Sequence, residues 1–242
     1  MADFTYQKTA LDVVKGAMSA CDMREPSTAA ASTDPKVKRF WRLVSEVGRD
    51  IAQAFDWQVL RKEWTLTTDG VTLAYPTPDD FDGFVDLTGW NKTNRQPLIG
   101  PSIAQSWQKV QGTVSGSTLT FVYKYDNDKI TFQSLPPTAQ SITFIYQTSS
   151  WVQDAASPTV VRDHVENDGD IILLYGRMME AALVLRWKLD RGLDTSGANN
   201  TFNSIVESVT GRQSPGQVYF LGASYGPPLI STANVPSSGI GL

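Results

Sequence analysis

Cysteine and histidine are almost missing from this chain. Its 242 residues hold one cysteine, Cys21, and one histidine, His164. A single cysteine excludes an internal disulfide framework and a cysteine-built zinc site. A single histidine excludes a multi-histidine metal centre. Charge is sparse as well, at 19% of residues, with 21 basic against 25 acidic side chains and a formal net charge of −4. That balance rules out a strongly basic field over the whole protein for gripping nucleic acid. No run approaches the ~20 continuous apolar residues of a membrane helix. Met1 to Lys8 has no basic segment leading into an apolar stretch, so a secretory leader is not expected and a reducing cytosol is the default site of synthesis. No Walker loop is present, nor a G-x-G-x-x-G following a strand. What the chain does have is 41% hydrophobic residues, enough for a core and too many for a disordered chain.

Periodicity divides the sequence into helical ends and a strand-rich middle. Leu11, Val14 and Met18 predict a short helix over 5–20. A loop of small residues, 26–33, follows. Asp34 as N-cap and Pro35 in the first turn open a second helix. Val37, Phe40, Trp41, Val44, Val47, Ile51, Ala54 and Phe55 form its apolar stripe. The other face carries Lys36, Lys38, Arg39, Arg42 and Arg49, with Glu46 and Asp50. Alternation then takes over. Val59–Thr68 and Val71–Tyr75 read as a hairpin about Asp69-Gly70. A strand is expected over 83–87 and one or two helical turns over 101–110. A second hairpin, 117–125 with 129–135, turns at Asp126-Asn127-Asp128, and a strand covers 141–148. Helical spacing returns over 169–191, where Ile171, Leu174, Tyr175, Met178, Ala182, Leu185 and Leu189 make one stripe, and again over 197–209. The class is α+β: a helical bundle from the N- and C-terminal helices, an inserted antiparallel β domain and an extended C-terminal arm. The expected parts are 1–57, 58–152, 153–211 and 212–242.

Little in the sequence reads as an active site. His164 lies in a charged loop, where a solvent-exposed side chain is the ordinary reading and a catalytic base the rarer one. Cys21 reads as a small hydrophobe, buried or half-buried. Carboxylates cluster at Asp79-Asp80-Asp82-Asp86 and at Asp163-Glu166-Asp168-Asp170. Neither cluster has the order of a calcium loop, so no metal or cofactor is expected. Of seven tryptophans, Trp41 and Trp187 read as core or interface. Trp57, Trp90, Trp107 and Trp151 lie near element ends, where stacking on a ligand competes with packing.

The last thirty residues, 213–242, differ from everything before them. They hold no charged side chain. Glycine and proline interrupt any regular structure. Val218, Tyr219, Phe220, Leu221, Tyr225, Leu229 and Ile230 form a dense apolar group. Solvated tails are normally charged and poor in aromatics. The reading set against a free terminus is an arm docked on another chain. Fully extended, it spans at most roughly 100 Å at ~3.3 Å per residue.

The order of these pieces resembles the head-to-tail adaptor (connector) proteins of tailed bacteriophages, including the tail tubular protein A type. Three stretches carry the likeness. One is the amphipathic helix ending in Phe55-Asp56-Trp57 before a strand. Another is Leu135-Pro136-Pro137 leading to Ile142-Thr143-Phe144-Ile145-Tyr146 and Trp151. The third runs from Asp170-Ile171-Ile172-Leu173-Leu174-Tyr175-Gly176 to Leu185-Arg186-Trp187-Lys188 and Gly192-Leu193-Asp194. The resemblance implies a non-enzymatic ring subunit of the virion, made in the host cytoplasm and usually present in twelve copies. Its partners would be its own copies, a portal protein and a tail or nozzle protein. Duplex DNA would pass without tight binding, and no membrane is involved. On that footing Asp79, Asp80, Asp82, Asp163 and Glu166 are candidates for an acidic lumen. Lys36, Arg39, Arg42 and Arg49 are candidates for contact with a neighbouring subunit or the portal. The alternative is a carbohydrate- or surface-binding β-sandwich module that uses exposed tryptophans.

Overall fold

The computed structural model describes residues 7–113 and 122–213. In chain order the elements are β1 (Lys8–Thr9), α1 (Ala10–Ser19), α2 (Pro35–Ala54), β2 (Arg61–Thr67), β3 (Ala74–Pro76), β4 (Phe81–Phe84), β5 (Trp90–Asn91), β6 (Gln96–Pro97) and α3 (Ala104–Thr113). Then come β7 (Tyr123–Asp126), β8 (Lys129–Phe132), β9 (Ser141–Thr148), β10 (Val152–Gln153), β11 (Val161–Arg162), β12 (Ile171–Ile172), α4 (Gly176–Asp190) and α5 (Ser196–Gln213). The chain is α+β, and its named strand pairs are antiparallel.

Both early helices begin where the sequence supplies a cap. The Thr9 hydroxyl oxygen accepts from the Asp12 amide at 3.1 Å. The Asp34 carboxylate accepts from the Lys36 amide at 2.8 Å, with Pro35 in the first turn. These bonds satisfy amides that the helix leaves without partners. α1 starts at Ala10 rather than near residue 5, because Lys8 and Thr9 pair with Ile172 and Ile171. α2 buries Val37, Phe40, Leu43, Val44, Val47, Gly48, Ile51 and Ala52. The Trp57 indole closes its far end by donating to the Ile51 carbonyl at 2.7 Å.

The expected hairpin over 59–75 does not form. β2 pairs along its whole length with β9, from Arg61 opposite Gln147 to Thr67 opposite Ser141. β3 pairs instead with β8. Asp69 explains the separation. Its carboxylate accepts from the amides of Val71 and Thr72 and from the Tyr75 hydroxyl, which bends the chain out of the sheet. The second hairpin forms over 123–126 and 129–132, with Asn127 and Asp128 both at positive φ as a tight two-residue turn requires, while 117–121 of its expected first strand lie outside the described residues.

The long helix expected over 169–191 is shorter. Ile171 and Ile172 form β12, between β1 and β10, and α4 begins at Gly176. The Leu173 amide donates to the Trp151 carbonyl at 3.0 Å, which keeps this stretch extended. The buried face of α4 is Met178, Met179, Ala182, Leu183 and Trp187. Leu189, placed inside by its spacing, is 54% exposed. Trp187 stacks on Phe40 with ring centroids 4.5 Å apart, and that contact fixes the helix rotation.

Among the described residues, apolar burial falls into two clusters. The larger joins α1, α2 and α4 with Trp151, Val152, Val165, Ile172 and Leu174, and α5 packs on it through Phe202, Ile205, Val206 and Val209. The smaller is Leu66, Tyr75, Leu98, Tyr123, Ile130, Phe132, Ile142 and Phe144. Trp151 and Val152 thus lie on the helical side, although they follow β9 directly. Each fully buried large side chain contributes roughly 1.5–3 kcal/mol.

Candidate partner-binding surfaces

The outward face of α2 carries Lys36, Lys38, Arg39, Arg42 and Arg49, all exposed. Arg39 is bonded to Asp190 at the end of α4. Arg49 Nη2 lies 3.4 Å from Asp163 Oδ2. Two of the four basic contact candidates therefore have carboxylate partners within the chain. Arg49 and Asp163, assigned from the sequence to different surfaces, stand on one. Lys36, Lys38 and Arg42 make no ion pair among the described residues.

The acidic loop 163–170 is mostly occupied with holding itself. Asp170 is fully buried, and its Oδ2 accepts from the amides of Glu166 at 2.8 Å and Asn167 at 2.9 Å. Arg162 bridges Asp154, Glu166 and Asp170. The Asp168 carboxylate accepts from the Thr28 hydroxyl and from the amides of Ala29 and Ala30, clasping the loop before α2. Burial alone would raise the Asp168 pKa, but these three hydrogen bonds outweigh it and the net shift is downward. His164 is exposed, with Nδ1 2.7 Å from Asp163 and Nε2 3.2 Å from Glu166. The hydrogen bond to Asp163 leads in raising the histidine above its ordinary value.

In the other acidic cluster Asp80 stands apart from its neighbours. Its carboxylate accepts from Lys62 Nζ at 2.5 Å, the Tyr146 hydroxyl at 2.8 Å and the Thr148 hydroxyl at 2.7 Å. Desolvation pushes its pKa up, and those bonds bring it below the usual carboxylate value. It is a half-buried tie that links β2 and β9 just ahead of β4. Asp79, Asp82 and Asp86 are exposed. Beside them lies an aromatic seam that the sequence reading missed. Phe81 sits 4.6 Å from Phe84 and 5.2 Å from Tyr125 by ring centroids, and Phe84 sits 5.5 Å from Tyr125. A bulge between Phe81 and Gly83 shifts the register of β4 on β9, which brings two rings three residues apart onto one side.

A groove of about 540 Å³ lies between α1, α4 and α5, lined by Gly16, Arg177, Glu180, Lys188, Gly197 and Ile205 among others. Lys8 reaches across its rim to Glu180 at 2.5 Å.

A family model described as SU10 adaptor protein matches residues 21–219. The chain belongs to this family. The match takes in α2 to α5, hence most of both apolar clusters, and begins just after α1. A comparison with curated proteins found no match.

Other features of this adaptor expected from the sequence can be placed. Val218, Tyr219, Phe220, Leu221, Tyr225, Leu229 and Ile230 lie outside the described residues. Trp57, Trp107 and Trp151 are buried, while Trp90 is 43% exposed. Cys21 is half-buried, and desolvation raises its thiol pKa. Among the described residues no three or more His, Cys, Asp or Glu side chains are grouped to hold a metal ion. No helix among them is long and apolar enough to cross a membrane.

Proposed function

We propose that this adaptor is a non-catalytic ring subunit that joins the phage portal to the tail and lines part of the DNA channel, in the manner of the tail tubular protein A type. Membership of the adaptor family over residues 21–219 carries the reading. A ring of identical subunits needs two different patches on each copy that fit one another. The chain offers a basic helix face and, on the other apolar cluster, an acidic and aromatic surface. Twelve copies, a portal on one side and a tail or nozzle protein on the other are the expected assembly, in the virion. The net charge of −4 suits a channel that conducts DNA, because each neutralised phosphate adds salt-dependent grip. Mixing the purified chain with portal protein and imaging by negative stain should show closed rings seated on the portal. Tight, salt-sensitive binding of duplex DNA by the isolated chain, or failure to attach to any portal or tail component, would count against it.

A further inference from the structure

Among the described residues, β4 and β7 form an aromatic seam that stays partly open to solvent. Tyr125 is 36% exposed, Phe81 and Phe84 are half-buried beside it, and Leu87 on the same segment is 88% exposed. Carboxylates ring the seam. Asp128 accepts from the Tyr125 hydroxyl at 3.0 Å. Burial leads in raising the Tyr125 phenol, and the charges of Asp128 and Asp82 add to it. Asp86 acts in the same way on Tyr123 beneath. Across 79–86 and 123–129, Asp80 is paired with Lys62 and Asp126 with Lys124. Asp79, Asp82, Asp86 and Asp128 have no cationic partner among the described residues, and Lys129 is the cation left over there.

The opposite pattern lies on α2. At 100° per residue Lys38, Arg42 and Arg49 form one ridge, at i, i+4 and i+11. Glu46 and Asp50 fall on the flank with Arg39. Half-buried Trp41 borders the ridge on its other side. No ion pair joins the ridge to the seam within the chain among the described residues.

We infer that the seam of Phe81, Phe84 and Tyr125, with Asp82 and Asp86 at its rim, docks on the Lys38–Arg42 ridge of a second copy of this chain. The inference rests on the ring reading and names the two patches that would mate. Guanidinium and ammonium groups are suited to aromatic faces bordered by carboxylates, through cation–π contact and ion pairing together. The contact is heterologous, one patch against a different one, so it propagates from copy to copy and closes only as a ring.

The test uses full-length chains carrying Asp82→Lys with Asp86→Lys, or Lys38→Glu with Arg42→Glu, compared by sedimentation velocity at low and raised salt. Wild type should self-associate, less so as salt rises. Each variant alone should associate about tenfold or more weakly, because like charges then face each other. An equimolar mixture should recover association, since reversed seam meets reversed ridge and native seam meets native ridge. Asp82→Asn with Asp86→Asn should lose less than the lysine pair. Circular dichroism and melting curves matching wild type establish that each variant is folded. Two outcomes overturn the pairing: variants that each associate like wild type, and a mixture no better than its components. A wild type that stays a single copy throughout also overturns it. Those outcomes leave the ring reading standing if rings still form on the portal. A lysine variant that loses portal attachment but keeps self-association assigns the seam to the portal and overturns the pairing too.

Discussion

The indole of Trp151 occupies the place where Gly48 would carry a side chain. A Cβ built on Gly48 would stand 2.2 Å from the Cη2 and Cζ2 atoms of that ring. Trp151 is fully buried and follows β9, so this contact seats α2 on the end of the central strand. Glycine inside a helix ordinarily costs about 0.5–1 kcal/mol relative to alanine. Here it is the residue that lets the helix backbone approach the ring.

Gly48→Ala should therefore destabilise the protein despite its better helix propensity, by about 1–3 kcal/mol, the usual cost of overpacking a core. Trp151→Phe removes the clashing atoms and should destabilise by itself. Combined, the two changes should cost less than their sum. Chemical denaturation of the four proteins in the cycle measures the coupling. Additive losses would mean that the ring moves aside freely.

Asp170 is fully buried and takes two backbone amides besides facing Arg162. Asp170→Ala would orphan both amides and leave the Arg162 cluster short of a carboxylate. A loss of about 2–4 kcal/mol is expected, at roughly 1–3 kcal/mol for each buried group left unmade. Asp170→Asn keeps an acceptor oxygen and should lose less. Equal melting temperatures for the two variants would argue that the carboxylate is replaceable.

Helix α2 was legible because three local signals agree there: the Asp34 cap, Pro35 and an unbroken apolar stripe. The partner of β2 was not legible. Asp69-Gly70 announces a turn, but which strand completes the sheet depends on Trp64 and Leu66 meeting Phe144 and Ile142, some eighty residues away. Residues 171–174 are all Ile or Leu, and such a run satisfies helix and strand periods alike. Tertiary contact with Trp151 and β1 decided it. At the candidate surfaces, the exposure of the basic face could be read from spacing. Its pairing with Asp190 and Asp163 could not, since both arrive from distant elements. The aromatic seam was hidden because Phe81 and Phe84 share a side only through the bulge in β4.

His164 should give the fold a modest pH dependence. Its pKa is raised chiefly by the hydrogen bond to Asp163, with Glu166 adding to it. The stabilisation is fully present below the ordinary histidine value and is lost as pH rises through the raised one. Asp163 is shifted down, first by the same bond, so its share is present above the ordinary carboxylate value and lost as pH falls. The side chain of His164 is 47% exposed, which holds the effect to no more than about 1 kcal/mol. Wild type should exceed His164→Gln in stability near pH ~6, and the gap should close toward pH ~9. A gap that widens with pH would reverse the assignment.

Residues 213–242 carry the last prediction. Ordering a backbone costs roughly 1–2 kcal/mol per residue, while each large apolar side chain buried contributes about 1.5–3 kcal/mol. An uncharged segment gains on docking only where its anchors are dense, and they are densest from Val218 to Ile230. If those anchors serve another chain, deleting 214–242 should leave the melting temperature nearly unchanged and weaken incorporation into portal-bound rings. If they serve their own subunit, the deletion should lower the melting temperature or precipitate the protein. The groove between α1, α4 and α5, open beside the helix from which the segment continues, is then the place to look for it. Ala20→Trp or Ile205→Trp would fill that groove, and each should reproduce the deletion only in the second case. A deletion that changes neither melting nor assembly would remove the segment from both roles.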